Sequence, residues 1–423
     1  MERVLHGARI YRNGVLTRAD LLIRDAKIAA VSTVIDAPRA EVLSLDGRVL
    51  FPGLTDVHVP FREPGFLYKE TVASGSAAAA HGGFTTVFTM PNLSPTPDSP
   101  EHLAPQLEAI ARDAKIRVLP YGTITVGEKG EMLADLEGLA PSVIAFSDDG
   151  RGVQDRGMMR EAMLRAKALG KPIVAHCEDN ALLFGGVIHD GAYAKANGIP
   201  GICSESEWRQ LARDLELVAE TGCAYHVCHL STKESVALIR EAKRSGLDVT
   251  AETGPHYLVM TDADLRDEGR FKMNPPLREA ADRDALLDGI ADGTIDMIAT
   301  DHAPHSAEEK SKGLRGSLMG VVGLETAFSV LYDRLVLSGR LPLCRVIDAM
   351  TIAPARRFGL AGGSIEVGAP ADLFAVDPEK RYAIDPSRFL SMGRATPFEG
   401  WEVTGEVRFT FFGGKTVYDA ENR

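Results

Sequence analysis

A short segment, Asp56-Val57-His58-Val59-Pro60, carries the side chains with the clearest chemical meaning in this sequence. The segment has the character of a strand, and alternate residues of a strand project to the same face. Asp56, His58 and residue 60 are therefore expected to point into one site. An Asp-x-His-x-His pattern would place two imidazoles there, where they can hold one metal ion for hydrolysis. Because Pro60 replaces the second imidazole, the segment predicts a metal site that lacks one ligand.

Four later apolar runs also end in possible metal ligands, namely Asp148-Asp149, His176, His229 and Asp301. Imidazole and carboxylate groups both suit zinc. Each residue alone has an ordinary explanation: a hydrogen-bonded histidine, a turn at Asp148-Asp149 or a helix cap at Asp301. Their joint placement at the ends of strands one, four, five, six and eight instead predicts one shared metal centre.

The elements that would position these residues alternate in type along the middle of the chain. Eight apolar runs are predicted as strands, at residues 54–59, 85–89, 116–121, 143–147, 173–176, 224–228, 249–253 and 297–300. Helical patterns lie between them, for example at residues 158–169, 231–245 and 283–291. Eight strand-then-helix units predict an α/β fold, a (β/α)8 TIM barrel, whose active site lies at the carboxyl ends of the strands.

Both ends of the chain are rich in short strand-like runs, at residues 4–11, 19–24, 28–31, 371–377 and 407–415. Two strand-rich ends around a long α/β middle predict that the ends pair with each other. The expected division is a small β-sandwich domain formed by residues 1–51 and 362–423, with residues 52–361 forming the barrel.

The composition excludes several classes of function. The 423 residues are 45% hydrophobic and 25% charged, as in ordinary globular proteins. The apolar runs are too short to span a membrane and the first residues do not begin a secretory signal, so a cytoplasmic location is expected. Five cysteines without a CxxC pair argue against a disulfide framework. A net charge of −12 argues against nucleic acid as a general partner. A small-molecule substrate that is anionic would need local positive charge from an arginine or a metal.

Several segments together resemble motifs of the amidohydrolase superfamily and, within it, of the dihydroorotases of the larger bacterial type. They are Arg62-Glu63-Pro64-Gly65, Met90-Pro91-Asn92, residues 146–150, 175–179, 226–231, 272–278 and 298–305. The resemblance extends over almost the whole chain. It implies a (β/α)8 barrel with a small terminal β domain, and the zinc-dependent, reversible cyclisation of N-carbamoyl-L-aspartate to L-dihydroorotate in de novo pyrimidine synthesis.

The resemblance also implies a role for each candidate metal ligand. His58 and Asp301 would hold one zinc, His176 and His229 a second, and Asp149 would bridge the two. Asp301 would in addition carry a proton between the attacking water and the departing ring nitrogen. Related hydantoinases and allantoinases bridge with a carboxylated lysine at the end of strand four, but residues 143–147 contain no lysine. The aspartate bridge is therefore the better interpretation.

Substrate contacts are implied in the same way, for Arg62, Asn92, His305, Asn274 and the backbone of Met319-Gly320. The first three would bind the substrate carboxylate, for which arginine offers a planar, two-pronged donor. Each has a structural alternative. Arg62 could form a surface ion pair, Asn92 could shape a turn, and His305 could cap the acidic residues that follow it.

Pro60 leaves the first metal with three protein ligands, which is still the normal number for a catalytic zinc. A weakened first site is expected, with one or two ions bound in total. Two other functions stay open: another cyclic amide or ureide hydrolase of the hydantoinase or allantoinase kind, and a catalytically impaired scaffold subunit that supports aspartate carbamoyltransferase. Family analogy implies a homodimer.

Overall fold

The structure of the protein is a computed structural model that describes residues 2–422. Met1 and Arg423, at the outer ends of the predicted terminal domain, lie outside the described residues. The strands of residues 2–422 are β1 (Glu2–Arg12), β2 (Val15–Arg24), β3 (Lys27–Ser32), β4 (Glu41–Ser44), β5 (Val49–Pro52), β6 (Leu54–Val59), β7 (Phe84–Thr89), β8 (Arg117–Pro120), β9 (Ile173–Ala175), β10 (Ile188–His189), β11 (Gly201–Ile202), β12 (Tyr225–Val227), β13 (Val249–Thr253), β14 (Met297–Ile298), β15 (Leu373–Ala383), β16 (Glu402–Phe412) and β17 (Lys415–Asp419).

The α-helices of the same residues are α1 (Val72–His81), α2 (Pro100–Asp113), α3 (Leu136–Leu139), α4 (Arg156–Ala168), α5 (Ala192–Asn197), α6 (Glu205–Thr221), α7 (Lys233–Arg244), α8 (Pro255–Val259), α9 (Ala280–Asp292), α10 (Ala307–Lys310), α11 (Gly313–Gly316), α12 (Ala327–Leu331), α13 (Leu343–Ala349) and α14 (Ile352–Phe358). Helices and strands alternate through the middle of the chain, which confirms the predicted α/β class. No helix within residues 2–422 has both the length and the apolar character needed to cross a membrane.

The middle strands run parallel and lie side by side in sequence order. β6, β7 and β8 form one sheet, and β9, β12, β13 and β14 form another. Single bridges from Gly122 to Phe146 and from Phe146 to Ile173 join the two sheets. Sequential parallel neighbours linked through helices are the arrangement expected of repeated strand–helix units. The carboxyl ends of these strands therefore face the same side of the molecule.

The predicted fourth strand, residues 143–147, is the exception. It pairs only through the isolated bridges of Phe146 and belongs to no regular strand. Its neighbours include Pro120 and Pro172, whose carbonyls accept from Ile144 N and Phe146 N. Because a proline has no N–H to return, it removes a bond from the ladder on each side.

Helix α7 shows how the local sequence sets the helices around these strands. Thr232 caps its first turn by accepting a hydrogen bond from Ser235 N. Val236, Ile239 and Ala242, spaced by three, form the buried face. The opposite face carries charged residues. Helix α7 therefore packs its apolar face on the strands and presents its charged face outward.

Strands from both ends of the chain form one eight-stranded sheet, in the order β17-β16-β15-β5-β1-β2-β3, with β4 paired to β1. The two ends meet where β15 runs antiparallel to β5. There Phe374 lies opposite Phe51, and their rings stack with centroids 5.2 Å apart. This sheet has its own buried apolar cluster, which includes Leu5, Leu50 and Phe411.

Candidate metal centre and substrate cavity

The five residues predicted as metal ligands meet at the carboxyl ends of the parallel strands. His58 Nε2 lies 3.3 Å from Asp149 Oδ1 and 3.5 Å from Asp301 Oδ1. His176 Nδ1 and His229 Nε2 each lie 3.7 Å from Asp149 Oδ1, and 2.9 Å from each other. Asp149 is thus the central member of the group, in contact distance of all three imidazoles.

Two of the converging atoms have no hydrogen-bond partner within residues 2–422. They are His58 Nε2 and Asp149 Oδ1, both fully buried and not aligned for a bond to each other. A buried polar atom left without a partner costs roughly 1–3 kcal/mol. The ligand atoms form two groups, His58–His229–Asp301 and Asp149–His176–His229, each within 4.8 Å. Orphaned atoms in an imidazole and carboxylate cluster fit a bound cation of the zinc type.

The pKa values of the two carboxyl groups in the cluster shift in opposite directions. Burial opposes the ionisation of Asp149, but the imidazoles of His58 and His229 hold its pKa well below the usual range. Burial raises the pKa of Asp301, and His58 and His229 offset this only in part. Asp149 is therefore the more acidic of the two carboxyl groups.

Asp56 does not join the cluster, contrary to the prediction that it would share a face with His58. Its carboxylate accepts hydrogen bonds from the backbone N–H and from Oγ1 of Thr300, the latter at 2.6 Å. It also accepts from His58 N at 3.0 Å. Burial raises the pKa of Asp56 to about 7. The prediction of a shared site is wrong because Thr300 and the backbone N–H of His58 bind the Asp56 carboxylate, which joins neither group of candidate ligands.

Glu252 in β13 contacts the cluster, although no motif in the sequence singled it out. Its Oε1 lies 2.7 Å from His58 Nδ1 and accepts from His229 N at 3.3 Å, and its Oε2 lies 3.0 Å from His226 Nε2. Burial raises the pKa of this carboxyl, but the imidazoles of His58 and His226 lower it to about 2. Its contact with Nδ1 fixes the ring of His58 so that Nε2 faces the cluster. Glu252 is the one charged residue of the predicted strand at residues 249–253, and this was the signal available in the sequence.

A cavity of about 250 Å³ opens beside the cluster. It is lined by Pro60, Arg62, Asn92, Asp149, Gly150, His176, His229, Asn274, Asp301, Ala303, His305, Met319 and Gly320. All six predicted substrate contacts are among these lining residues. Pro60 directly follows the last residue of β6, so it removes no bond from the ladder and its ring forms part of the cavity wall.

Arg62 is buried at the cavity and forms none of the surface ion pairs considered for it. Its Nε donates to Pro304 O and its Nη1 to Asn92 Oδ1, both at 3.2 Å. Asn92 Nδ2 in turn donates to Asp149 Oδ2 at 3.1 Å. Asn92 therefore connects the guanidinium to the central carboxylate of the cluster, and it is more than a turn former.

His305 lines the same cavity as a neutral residue. Its Nε2 donates to Met319 O at 2.7 Å, and its Nδ1 accepts from Lys69 Nζ at 3.2 Å. Burial, with Arg62 and Lys69 next, lowers the pKa of His305 to about 3. The positive charge available to an anionic ligand in this cavity thus comes from Arg62.

On the opposite wall, Asn274 is held by the residue that also contacts His176. Asn274 Nδ2 donates to Glu178 Oε1 at 2.8 Å, while Glu178 Oε2 lies 3.4 Å from His176 Nε2. One carboxylate therefore aligns a candidate substrate contact and a candidate metal ligand.

Comparison with known proteins relates this arrangement to one family. A model described as "Dihydro-orotase-like" matches residues 47–235, and one described as "Amidohydrolase family" matches residues 217–418. The dihydroorotase of Geobacillus thermodenitrificans (strain NG80-2) is 50% identical over 418 residues, which is 98% of each chain. The dihydroorotase of Bacillus caldolyticus is 48% identical over 419 residues, again 98% of each.

Solved structures show the same overall fold. The L-hydantoinase (dihydropyrimidinase) from Arthrobacter aurescens superposes with a TM-score of 0.88 at 27% identity, over 99% of this chain and 96% of that one. The dihydropyrimidinase from Brevibacillus agri NCHU1002 gives a TM-score of 0.87 at 24% identity, over 99% and 95% of the two chains. The likeness in sequence is thus far closer to the dihydroorotases than to these structures.

Proposed function

The chain belongs to the dihydroorotase family of amidohydrolases. From this premise we propose which role each residue at the carboxyl ends of the parallel strands has in the reaction. The reaction is the reversible cyclisation of N-carbamoyl-L-aspartate to L-dihydroorotate. The observation that carries the proposal is the convergence of three imidazoles and two carboxylates beside Arg62 in one cavity. These groups supply the ligands, the proton carrier and the positive charge that the reaction needs.

The metal ligands would be His58, Asp149, His176, His229 and Asp301. A zinc ion, when bound, lowers the pKa of water from about 15.7 to about 7 and polarises a carbonyl oxygen. Asp149, at the centre of the cluster, is the proposed bridge. Glu252 holds His58 in position, which matters more here because Pro60 offers no second imidazole from the same strand.

Asp301 is the proposed proton carrier. In ring opening it takes the proton of the attacking water and gives it to the departing ring nitrogen, and in ring closure it acts in reverse. Two observations support this role: Asp301 Oδ1 lies 3.5 Å from His58 Nε2 in the cluster, and Asp301 lines the cavity beside Arg62.

Substrate recognition is assigned to the other residues of the cavity. Arg62 and Asn92 bind the substrate carboxylate. The hydrogen bond from Arg62 Nε to Pro304 O orients the guanidinium, and Arg62 Nη1 donates to Asn92 Oδ1. Asn274 and the backbone of Met319-Gly320 contact the polar edge of the ring. His305 lines the cavity and holds Met319 O in place.

We further infer that the middle strands close into a (β/α)8 barrel. Asp56 in β6 accepts hydrogen bonds from Thr300, just after β14, and so connects the first and last strands. A buried cluster that includes Val57, Phe88 and Met297 draws on successive strands, as the filled interior of a barrel would. Residues 52–361 are the proposed barrel domain, and residues 1–51 and 362–423 the proposed small β domain, which is composed from both ends of the chain around the eight-stranded sheet.

A comparison of three substrates tests the assignment. We expect the zinc-loaded protein to hydrolyse dihydroorotate with a higher kcat/KM than hydantoin or allantoin, because Arg62 and Asn92 match a carboxylate that those two compounds lack. Steady-state assays at one pH provide the comparison. A higher kcat/KM for hydantoin would show that the substrate assignment is wrong.

The predicted homodimer, the association with aspartate carbamoyltransferase and the cytoplasmic location stay predictions.

Replacement of Pro60 tests the first metal site. We expect Pro60→His to bind zinc at least about tenfold more tightly, roughly 1.4 kcal/mol, because it restores an imidazole beside His58. Competition with a chromophoric chelator measures the affinity. Pro60→Ala is the matched control, since it removes the ring without adding a ligand. Equal zinc affinity in the two variants would contradict the idea that Pro60 weakens the site.

A further inference from the structure

A buried lysine lies behind one wall of the substrate cavity. Lys310 ends α10 and is 8% exposed. Its Nζ donates to the backbone carbonyls of Lys272 at 3.0 Å, Leu318 at 2.7 Å and Gly320 at 2.7 Å. No carboxylate within residues 2–422 forms an ion pair with this ammonium group. Lys310 is therefore bound only by carbonyl oxygens.

The burial of an ammonium group without a carboxylate partner destabilises a folded protein. A buried charge without a counter-ion is unfavourable unless hydrogen bonds replace its hydration. Three charge-assisted bonds supply that replacement, and burial together with Lys272 lowers the pKa of Lys310 to about 7. A methionine would fill the same space without the desolvation cost. The function of Lys310 is therefore to be inferred from the three backbone carbonyl groups that it binds.

The three carbonyls belong to two segments that line the substrate cavity. Lys272 precedes Asn274 by two residues, and Leu318 and Gly320 flank Met319. The segments also meet directly, because Gly320 N donates to Lys272 O at 3.1 Å. Neither segment lies in a helix or strand, so no regular ladder fixes the distance between them. Lys310 Nζ is the side-chain donor shared by both.

The backbone at Gly320 has little space to move within the cavity wall. Its φ is +132°, a value that favours glycine. A Cβ at this position would lie 2.8 Å from Ala303 Cβ and 3.0 Å from His305 Nε2. The backbone therefore packs closely against the cavity, and a small shift of the segment would change the space available to a ligand.

We propose that Lys310 is a positioning residue that sets the distance between Asn274 and the Met319-Gly320 backbone, and so determines the affinity for the ring edge of the substrate. Lys310 does not touch the substrate and acts through the two segments. This inference rests on the proposed substrate contacts of Asn274, Met319 and Gly320.

The test is Lys310→Met, which keeps the volume and removes the donors. We expect KM for dihydroorotate to rise roughly 10- to 100-fold, the equivalent of one lost charge-assisted hydrogen bond, with kcat within about threefold and zinc content unchanged. Lys171→Met is the matched control, because Lys171 is a half-buried lysine that donates at 2.7 Å to Val143 O, away from the cavity residues. We expect the control to lower thermal stability and leave KM unchanged.

A folded, zinc-loaded Lys310→Met protein with the KM of the wild type would overturn the proposal, as would a loss confined to kcat. If Lys310→Met does not fold, Lys310→Gln, which retains an N–H donor, decides the question: a KM that is about two- to tenfold above that of the wild type supports the proposal, and an unchanged KM refutes it. A wild-type protein without dihydroorotate turnover would instead refute the proposed substrate, so the two failures are distinguishable.

Discussion

Replacement of Asp301 by asparagine is expected to lower kcat for dihydroorotate hydrolysis by about 10²- to 10⁴-fold, the usual contribution of a positioned proton carrier. The amide retains an oxygen that can face the metal but cannot accept and return a proton. The reverse reaction, cyclisation of N-carbamoyl-L-aspartate, should lose the same factor, because one group serves both directions. Steady-state rates in the two directions measure the effect.

Two controls separate this loss from a general disturbance of the site. Zinc content and thermal stability of Asp301→Asn report whether the metal centre and the fold are retained. Asp179→Asn is the matched substitution, because Asp179 caps the turn at Asn180–Leu182 by accepting a hydrogen bond from Ala181 N and is not among the described residues that line the cavity. We expect Asp179→Asn to keep full activity. An Asp301→Asn protein with bound zinc and near-normal kcat would show that another residue carries the proton.

Much of the candidate site could be predicted because its ligands follow strand ends. His58, His176 and Asp301 each end or closely follow an apolar run, and parallel strands bring such positions to one edge. The positions of the ligands at strand ends are thus local patterns combined with one rule of topology. The central place of Asp149 was implied by the family resemblance, and the absence of a lysine from residues 143–147 favoured it over the alternative bridge.

What the sequence did not predict depends on contacts between distant residues. Asp56 turns to Thr300, 244 residues away, and Glu252 reaches His58 across 194 residues. The role of Lys310 depends on carbonyls, which no side-chain pattern records. Pro120 and Pro172 reduce the fourth strand to single bridges, although its own residues favour a strand. In each case the deciding partner lies elsewhere in the chain.

Removal of the metal is the second change with a large expected effect. With the cation gone, His58 Nε2 and Asp149 Oδ1 are left as buried atoms without partners, and the ring amide of the substrate is not activated. We expect hydrolysis of dihydroorotate to fall to the background rate after treatment with a chelator, and to return when zinc is added. Magnesium is the control ion, because it prefers oxygen ligands and is poorly served by three imidazoles.

The most direct measurement is a zinc titration of the metal-free protein, with bound zinc per chain and dihydroorotate turnover recorded on the same samples. We predict that turnover rises in proportion to zinc bound and reaches its maximum when one or two ions are held per chain. Full turnover in chains that hold no metal, or zinc uptake that is unaffected when Asp149 is replaced by alanine, would contradict the shared metal centre on which the assignments of these residues depend.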